Sequence, residues 1–189
     1  MVLEKFKFLE TEIKDLYIIE PRLFRDDRGY FMESYNKEEF FKAGLTMDFV
    51  QDNESKSKKG VLRGLHFQTK HSQGKLVKVV SGEVFDVAVD LRKGSSTYGR
   101  WQGVTLSDEN KKQFYIPKGF AHGFLVLSKE AIFTYKCTDY YAPKYDGGIC
   151  WKDETIGVIW PLQSIEQIIL SDKDKNQKTL KDQELPFSY

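Results

Sequence analysis

Short runs of apolar and polar residues in alternation, separated by turn-forming clusters, dominate this chain. Leu76-Val-Lys-Val-Val80 and Glu83-Val-Phe-Asp-Val-Ala-Val-Asp-Leu91 flank the dipeptide Ser81-Gly82. Two strand-like runs around a two-residue turn containing glycine predict a β-hairpin. In the second run Phe85, Val87, Val89 and Leu91 share one face, because side chains alternate along a strand. Glu83, Asp86, Ala88 and Asp90 do not all obey that alternation, so register stays open. Further strands are predicted over 16–21, 101–106, 113–116, 123–127 and 131–138. Gly, Pro, Asn, Asp and Ser punctuate them at short intervals. Such spacing predicts a sandwich, jelly roll or barrel.

One helix is predicted over 36–44. Asn36 is an N-cap residue type, Glu39 follows three positions later, and Gly44 is a C-terminal stop. A second short helix is predicted near 164–169. The polar stretch 51–60 reads as a surface loop. No internal repeat or low-complexity linker divides the chain, so residues 1–189 read as one domain.

Composition narrows the function. Lys and Arg number 29 against 28 Asp and Glu, a formal charge of +1. A nucleic-acid scaffold would carry a basic excess, so no nucleic-acid partner is expected. No segment has the length and apolarity to span a membrane, and the first ten residues lack an apolar stretch of signal-peptide length. A cytoplasmic protein without a membrane partner is therefore expected. Cys137 and Cys150 read as free, core-filling thiols.

Three histidines are present: His66, His71 and His122. His122 ends Ile116-Pro-Lys-Gly-Phe-Ala-His122, the Pro-x-Gly-x-x-His spacing of the cupin jelly roll. In metal cupins that histidine joins a His-x-His pair and a glutamate. Here the pair position reads His66-x-Gln68, one histidine short. A metal site needs three or four placed ligands, so no metal is expected. If 62–68 is a strand, residues 63, 65 and 67 face one way and 64, 66 and 68 the other. Gly64 would then leave space beside His66, as a ligand cavity or ordinary packing requires.

A long set of motifs then carries a resemblance. Arg28-Gly-Tyr-Phe-Met-Glu33, Gln51-Asp-Asn53, Gly60-Val-Leu-Arg-Gly-Leu-His-Phe-Gln68, Gln73-Gly-Lys75 and Gly82-Glu-Val-Phe-Asp-Val-Ala-Val-Asp90 are similar to motifs of the dTDP-4-dehydrorhamnose 3,5-epimerase family. So are the stretches 116–127 and 135–143. The match runs from about Gly29 to Asp174, with the spacing between motifs preserved. The resemblance implies a mostly β, cupin-type double-stranded β-helix (jelly roll) with a few short helices. It implies an isomerase without cofactor or metal, acting on a dTDP-linked 4-keto-6-deoxy sugar, and inverting both carbons beside the ketone. It also implies a homodimer whose sites are completed across the interface.

Such chemistry needs a base on one face of the sugar, an acid on the other, and a stabiliser for the enolate oxygen. By resemblance His66 is the base, oriented by Asp174, with Asp172 the alternative two residues away. Tyr135 is the acid, and Lys75 lies by the enolate oxygen. Arg28 and Arg63 suit the diphosphate. Glu33, Gln51 and Asn53 match positions that read the thymine and neighbouring groups. Tyr141 matches the tyrosine that stacks on the base, with Tyr140 the alternative. His122 and Lys173 complete the substrate-binding set. One departure from the family is Asp146, where a glutamate is common. Read without the family, Arg28 is a turn arginine paired with Asp26 or Asp27, Lys75 a surface lysine, Asp174 a solvated loop charge, and Tyr135 a core tyrosine. Two other readings remain: a mono-epimerase of a related dTDP-keto sugar, and a non-catalytic nucleotide-sugar binding cupin.

Overall fold

Residues 4–189 are described by the computed structural model. The reading of the first ten residues therefore falls in part, at residues 1–3, outside the described residues. Six strands form one antiparallel sheet: β1 (Phe6–Glu10), β2 (Tyr17–Pro21), β10 (Gln113–Ile116), β7 (Lys75–Ser81), β12 (Glu130–Cys137) and β5 (Gln51–Lys58), in that spatial order. Five form a second: β13 (Asp146–Gly148), β6 (Leu62–Gln68), β11 (Phe120–Val126), β8 (Glu83–Asp90) and β9 (Trp101–Ser107). β3 (Phe24–Asp26) and β4 (Gly29–Phe31) make a separate hairpin. The mostly β, jelly-roll expectation holds.

Apolar side chains fill the space between the sheets. Val77 and Val79 of β7, Phe114 and Ile116 of β10 and Phe133 of β12 cluster with Val84, Ala88, Leu106, Phe124 and Val126 of the second sheet. A second cluster lies on the other face of the five-stranded sheet. There Leu62, Leu65, Phe67, Val87, Val89 and Leu91 pack with Ile149, Ile156, Trp160, Leu180 and Phe187 from the C-terminal segment. β8 is therefore apolar on both faces, which accounts for its imperfect alternation. Burying both faces removes the polar-out requirement.

The turn at Ser81-Gly82 does not close a hairpin. β7 pairs with β10 and β12, whereas β8 pairs with β11 and β9. The chain changes sheets there. Gly82 has φ +84°, and a Cβ on it would meet the Glu130 carbonyl oxygen at 2.1 Å. A glycine turn sets the local change of direction but not which sheet the next strand joins. From β5 to β8, and again from β9 to β12, successive strands belong to opposite sheets.

Two other expectations are corrected. Residues 51–58 are strand β5, paired along its length with β12, and not a loop. Its polarity comes from its position at the sheet edge: Asp52, Glu54, Lys56 and Lys58 are exposed, while the alternate residues turn toward the interior. No helix forms over 164–169. Ile169 instead makes a parallel bridge to Val61, and Ile165, Ile168 and Leu170 pack on the second cluster. The first helix forms as expected. α1 (Lys37–Lys42) is capped by the Asn36 side chain, which accepts from the backbone N–H groups of Glu38 and Glu39 at 3.1 and 3.3 Å. Phe40 anchors it in a third cluster with Phe6, Ile19 and Tyr115.

Candidate active site

Strand β6 brings two candidate side chains to one cavity by breaking its own alternation. Arg63 and His66, an odd number of residues apart, line one cavity. The pairing of β6 with β11 shifts register between His122 and Phe124. Gly64 has φ +139°, a region open to glycine, and a Cβ there would lie 2.5 Å from the Gly123 Cα. Gly64 therefore does not make ligand space beside His66. It lets β11 approach closely while the strand resets its facing.

Two adjoining cavities share His66, Lys75 and Tyr135. The outer one, about 240 Å³, adds Gln73, Tyr141, Asp146 and Lys173. The inner one, about 150 Å³, adds Ser55, Arg63, His122 and Phe124. β6 supplies His66, β7 supplies Lys75 and β12 supplies Tyr135, so both sheets contribute to one chamber.

His66 Nε2 lies 2.5 Å from Asp174 Oδ1. Asp174 sits in α2 (Asp172–Lys175) and is 3% exposed. Ser171 Oγ donates to Asp174 Oδ2 at 2.8 Å and accepts from the Asp174 backbone N–H at 3.1 Å. Burial pushes this carboxyl up, but bonding to His66 and Ser171 and the charges of His66 and Lys173 outweigh it and hold it below the usual range. Asp172 is exposed and pairs with Lys175. Asp174, and not Asp172, is the aspartate that contacts His66. With Nε2 bonded to a carboxylate, the proton resides there and Nδ1 carries the lone pair.

Burial lowers the Lys75 ammonium, against the pull of Cys137, Asp86 and Asp146. Burial raises the Tyr135 phenol, so the ring stays protonated at neutral pH and can donate. His122 Nε2 faces both oxygens of Asp86, at 3.1 and 2.9 Å. Burial lowers His122 and raises Asp86. Asp86 had not been singled out as a site residue. Its sequence signal was a charge on the β8 face that carries Val84 and Ala88.

Toward the mouth, Tyr141 is 55% exposed and lines the outer cavity. Its hydroxyl donates to Asp146 Oδ2 at 2.9 Å, and Lys173 Nζ pairs with the same oxygen. Tyr140 does not line either cavity; its carbonyl accepts from Gln68. Asp146, set aside as a departure, is thus part of the wall. Gln51 and Asn53 stand on β5 and line neither cavity; Asn53 lines a separate one with Lys78, Gln113 and Tyr135. Gln51 accepts from the Tyr141 N–H at 2.9 Å and donates to Asn53 at 3.0 Å. Arg63 donates twice to Ser57.

Arg28 and Glu33 are not brought to the chamber within this chain. Arg28 lies at the turn of the β3–β4 hairpin, 89% exposed at its side chain, and pairs with Asp26 at 2.5 Å. Glu33 pairs with Lys5 and accepts from Asn36 at 2.6 Å. Among the described residues no group of three His, Cys, Asp or Glu is gathered closely enough to hold a metal ion. No helix of those residues is long and apolar enough to cross a membrane.

Residues 10–182 match the family model described as dTDP-4-dehydrorhamnose 3,5-epimerase. The chain belongs to the dTDP-4-dehydrorhamnose 3,5-epimerase family. A curated family member from Methanothermobacter thermautotrophicus is 57% identical over 178 residues, covering 94% of this chain and 96% of that one. A solved epimerase from Legionella pneumophila, in complex with dTDP-4-keto-L-rhamnose, superposes with a TM-score of 0.94. It is 52% identical, and the match covers 97% of this chain and 99% of that chain. A 3'-monoepimerase from Streptomyces bikiniensis, solved with dTDP-quinovose, is also similar: 33% identity, TM-score 0.84, covering 92% and 87% of the two chains.

Proposed function

We propose that the chain, as one domain over residues 1–189, converts dTDP-4-dehydro-6-deoxy-D-glucose to dTDP-4-dehydro-L-rhamnose, with His66 as the base. The observation that carries the reading is the His66–Asp174 pair opening into a chamber shared with Tyr135 and Lys75. A C–H beside a ketone is acidic because its anion spreads onto the carbonyl oxygen. His66 takes that proton through Nδ1, and Asp174 stabilises the imidazolium that results. Lys75 offers positive charge to the enolate oxygen. Tyr135 returns a proton from the other wall, inverting the carbon. The sequence repeats at the second carbon flanking the ketone.

Recognition divides by chemistry. Tyr141 stacks on the thymine, with Gln51 and Asn53 at its edge. Arg63 and Lys173 supply cations for the diphosphate and sugar, and His122 hydrogen-bonds near the sugar. Arg28 and Glu33 serve the site of a second copy in a homodimer. The exposed Phe24, Tyr30 and Phe31 on the same hairpin support that role, since neighbouring exposed aromatic side chains form an apolar patch suited to a partner. The enzyme works in the cytosol, without cofactor, metal, nucleic acid or membrane.

Turnover of the keto sugar in deuterated water, followed by NMR of the product, tests the double inversion. Deuterium is expected at both carbons beside the ketone. Deuterium at one carbon alone would replace this reading with a mono-epimerase, for which the likeness to the Streptomyces bikiniensis enzyme speaks.

A further inference from the structure

Gln68 lies two residues beyond His66 on β6 and is 5% exposed. Its Nε2 donates to the carbonyls of His71 at 2.7 Å and Tyr140 at 3.2 Å. Its Oε1 accepts from the Ala142 backbone N–H at 2.8 Å. A primary amide has two donor hydrogens, and both are committed here. Gln68 thus has no donor left for a ligand, although it lies in the wall of the outer cavity. Its partners at 140 and 142 bracket Tyr141.

The ring of Tyr141 needs such support. It is exposed, so packing does not fix it, and its hydroxyl is tethered only at Asp146. A stacking platform contributes most when its orientation is set before the ligand arrives, because ordering a loop on binding costs affinity.

We infer that Gln68 is a positioning residue for nucleotide recognition: it fixes the backbone on both sides of Tyr141 so that the ring presents a preformed face to the thymine. The inference rests on the assignment of Tyr141 as the stacking residue. It gives Gln68 no contact with the substrate and no part in proton transfer.

A double-mutant cycle read by calorimetric titration with dTDP tests it, using Gln68→Met, Tyr141→Ala and the double variant. Gln68→Met is expected to weaken dTDP binding about tenfold, within the range of losing one base–aromatic stack. Its kcat at saturating substrate should stay within about twofold of wild type, with the loss appearing in KM. In the Tyr141→Ala background the same substitution should cost less than about twofold, because the platform is already gone. Gln68→Glu keeps the acceptor for Ala142 but turns a carboxylate oxygen toward the carbonyls of His71 and Tyr140, and should weaken dTDP binding at least as much as Gln68→Met. A second full tenfold loss in the Tyr141→Ala background would overturn the inference. So would unchanged dTDP affinity in both Gln68 variants, or failure of both to fold. If Tyr141→Ala itself leaves affinity unchanged, the stacking assignment falls and takes the inference with it. If Tyr141→Ala weakens binding and Gln68→Met does not, the inference falls alone.

Discussion

His66 and Asp174, 108 positions apart in the chain, meet at 2.5 Å, and the aspartate is nearly sealed from solvent. A buried carboxylate held below its usual pKa by a histidine has a consequence for acid stability. Its contribution is fully present above the unfolded aspartate pKa, about 3.9, and is lost as pH falls through the lower folded value. Urea denaturation of wild type and Asp174→Asn from pH 6 to pH 3 reads it. Wild type should be the more stable at pH 5 to 6, and the gap should close below about pH 4. A gap independent of pH would mean that folding leaves the Asp174 pKa unchanged.

His66→Ala removes the proposed base but leaves the mouth of the chamber, where Tyr141, Asp146 and Lys173 stand, untouched. Solvent exchange at the carbons beside the ketone should drop by at least about 100-fold, the ordinary scale of general-base catalysis. Affinity for dTDP should stay within about twofold of wild type. Unchanged exchange would refute the assignment.

Tyr135→Phe separates removal of a proton from its return. His66 remains to take the proton, so exchange with solvent should persist. Inverted product should fall by about 100-fold, because the opposite wall has lost its donor. Mass spectrometry of recovered substrate and NMR of product measure the two rates. Since burial raises the Tyr135 phenol, wild-type activity should show no alkaline loss at the ordinary tyrosine pKa of about 10.

Gly64→Ala tests the reset in β6. The new methyl would meet the Gly123 backbone at 2.5 Å, in a backbone conformation alanine rarely adopts. A loss of roughly 3 kcal/mol or more in thermal or denaturant unfolding is expected. Any folded fraction should have impaired turnover, since Arg63 and His66 reach the same cavity only through this break.

Much of this architecture was legible in the sequence, and the failures have common physical causes. Alternation located most strands, and capping chemistry located α1, because both signals are local. The β7–β8 connection is not legible locally because a glycine turn fixes a change of direction and leaves the choice of sheet to long-range pairing. β5 reads as a loop because a sheet edge lining a polar chamber carries no apolar stripe. In the site, His66 and Asp174 came from resemblance; composition alone favoured a solvated Asp174. The Ser171-x-x-Asp174 spacing is a local hint that Ser171 caps a helix turn and hydrogen-bonds the aspartate three positions on. Asp86 shows only as a charge on an otherwise apolar strand face, and Asp146 has no local signature, since its partners Tyr141 and Lys173 come from separate segments.

The exchange of sheets at successive strands also governs how the chain reaches this state. Such strands find their partners across long intervening segments, so closing entropy is spent before most pairing is gained. Folding is therefore expected to be slow, in the range of milliseconds to seconds typical of non-local β topologies. The chamber and its His66–Asp174 pair draw on β6, β7, β12 and α2, and exist only after the last of these has docked. A ribosome-bound chain ending before residue 174 would hold His66 without its partner, and the proposed activity should emerge only with the C-terminal segment in place.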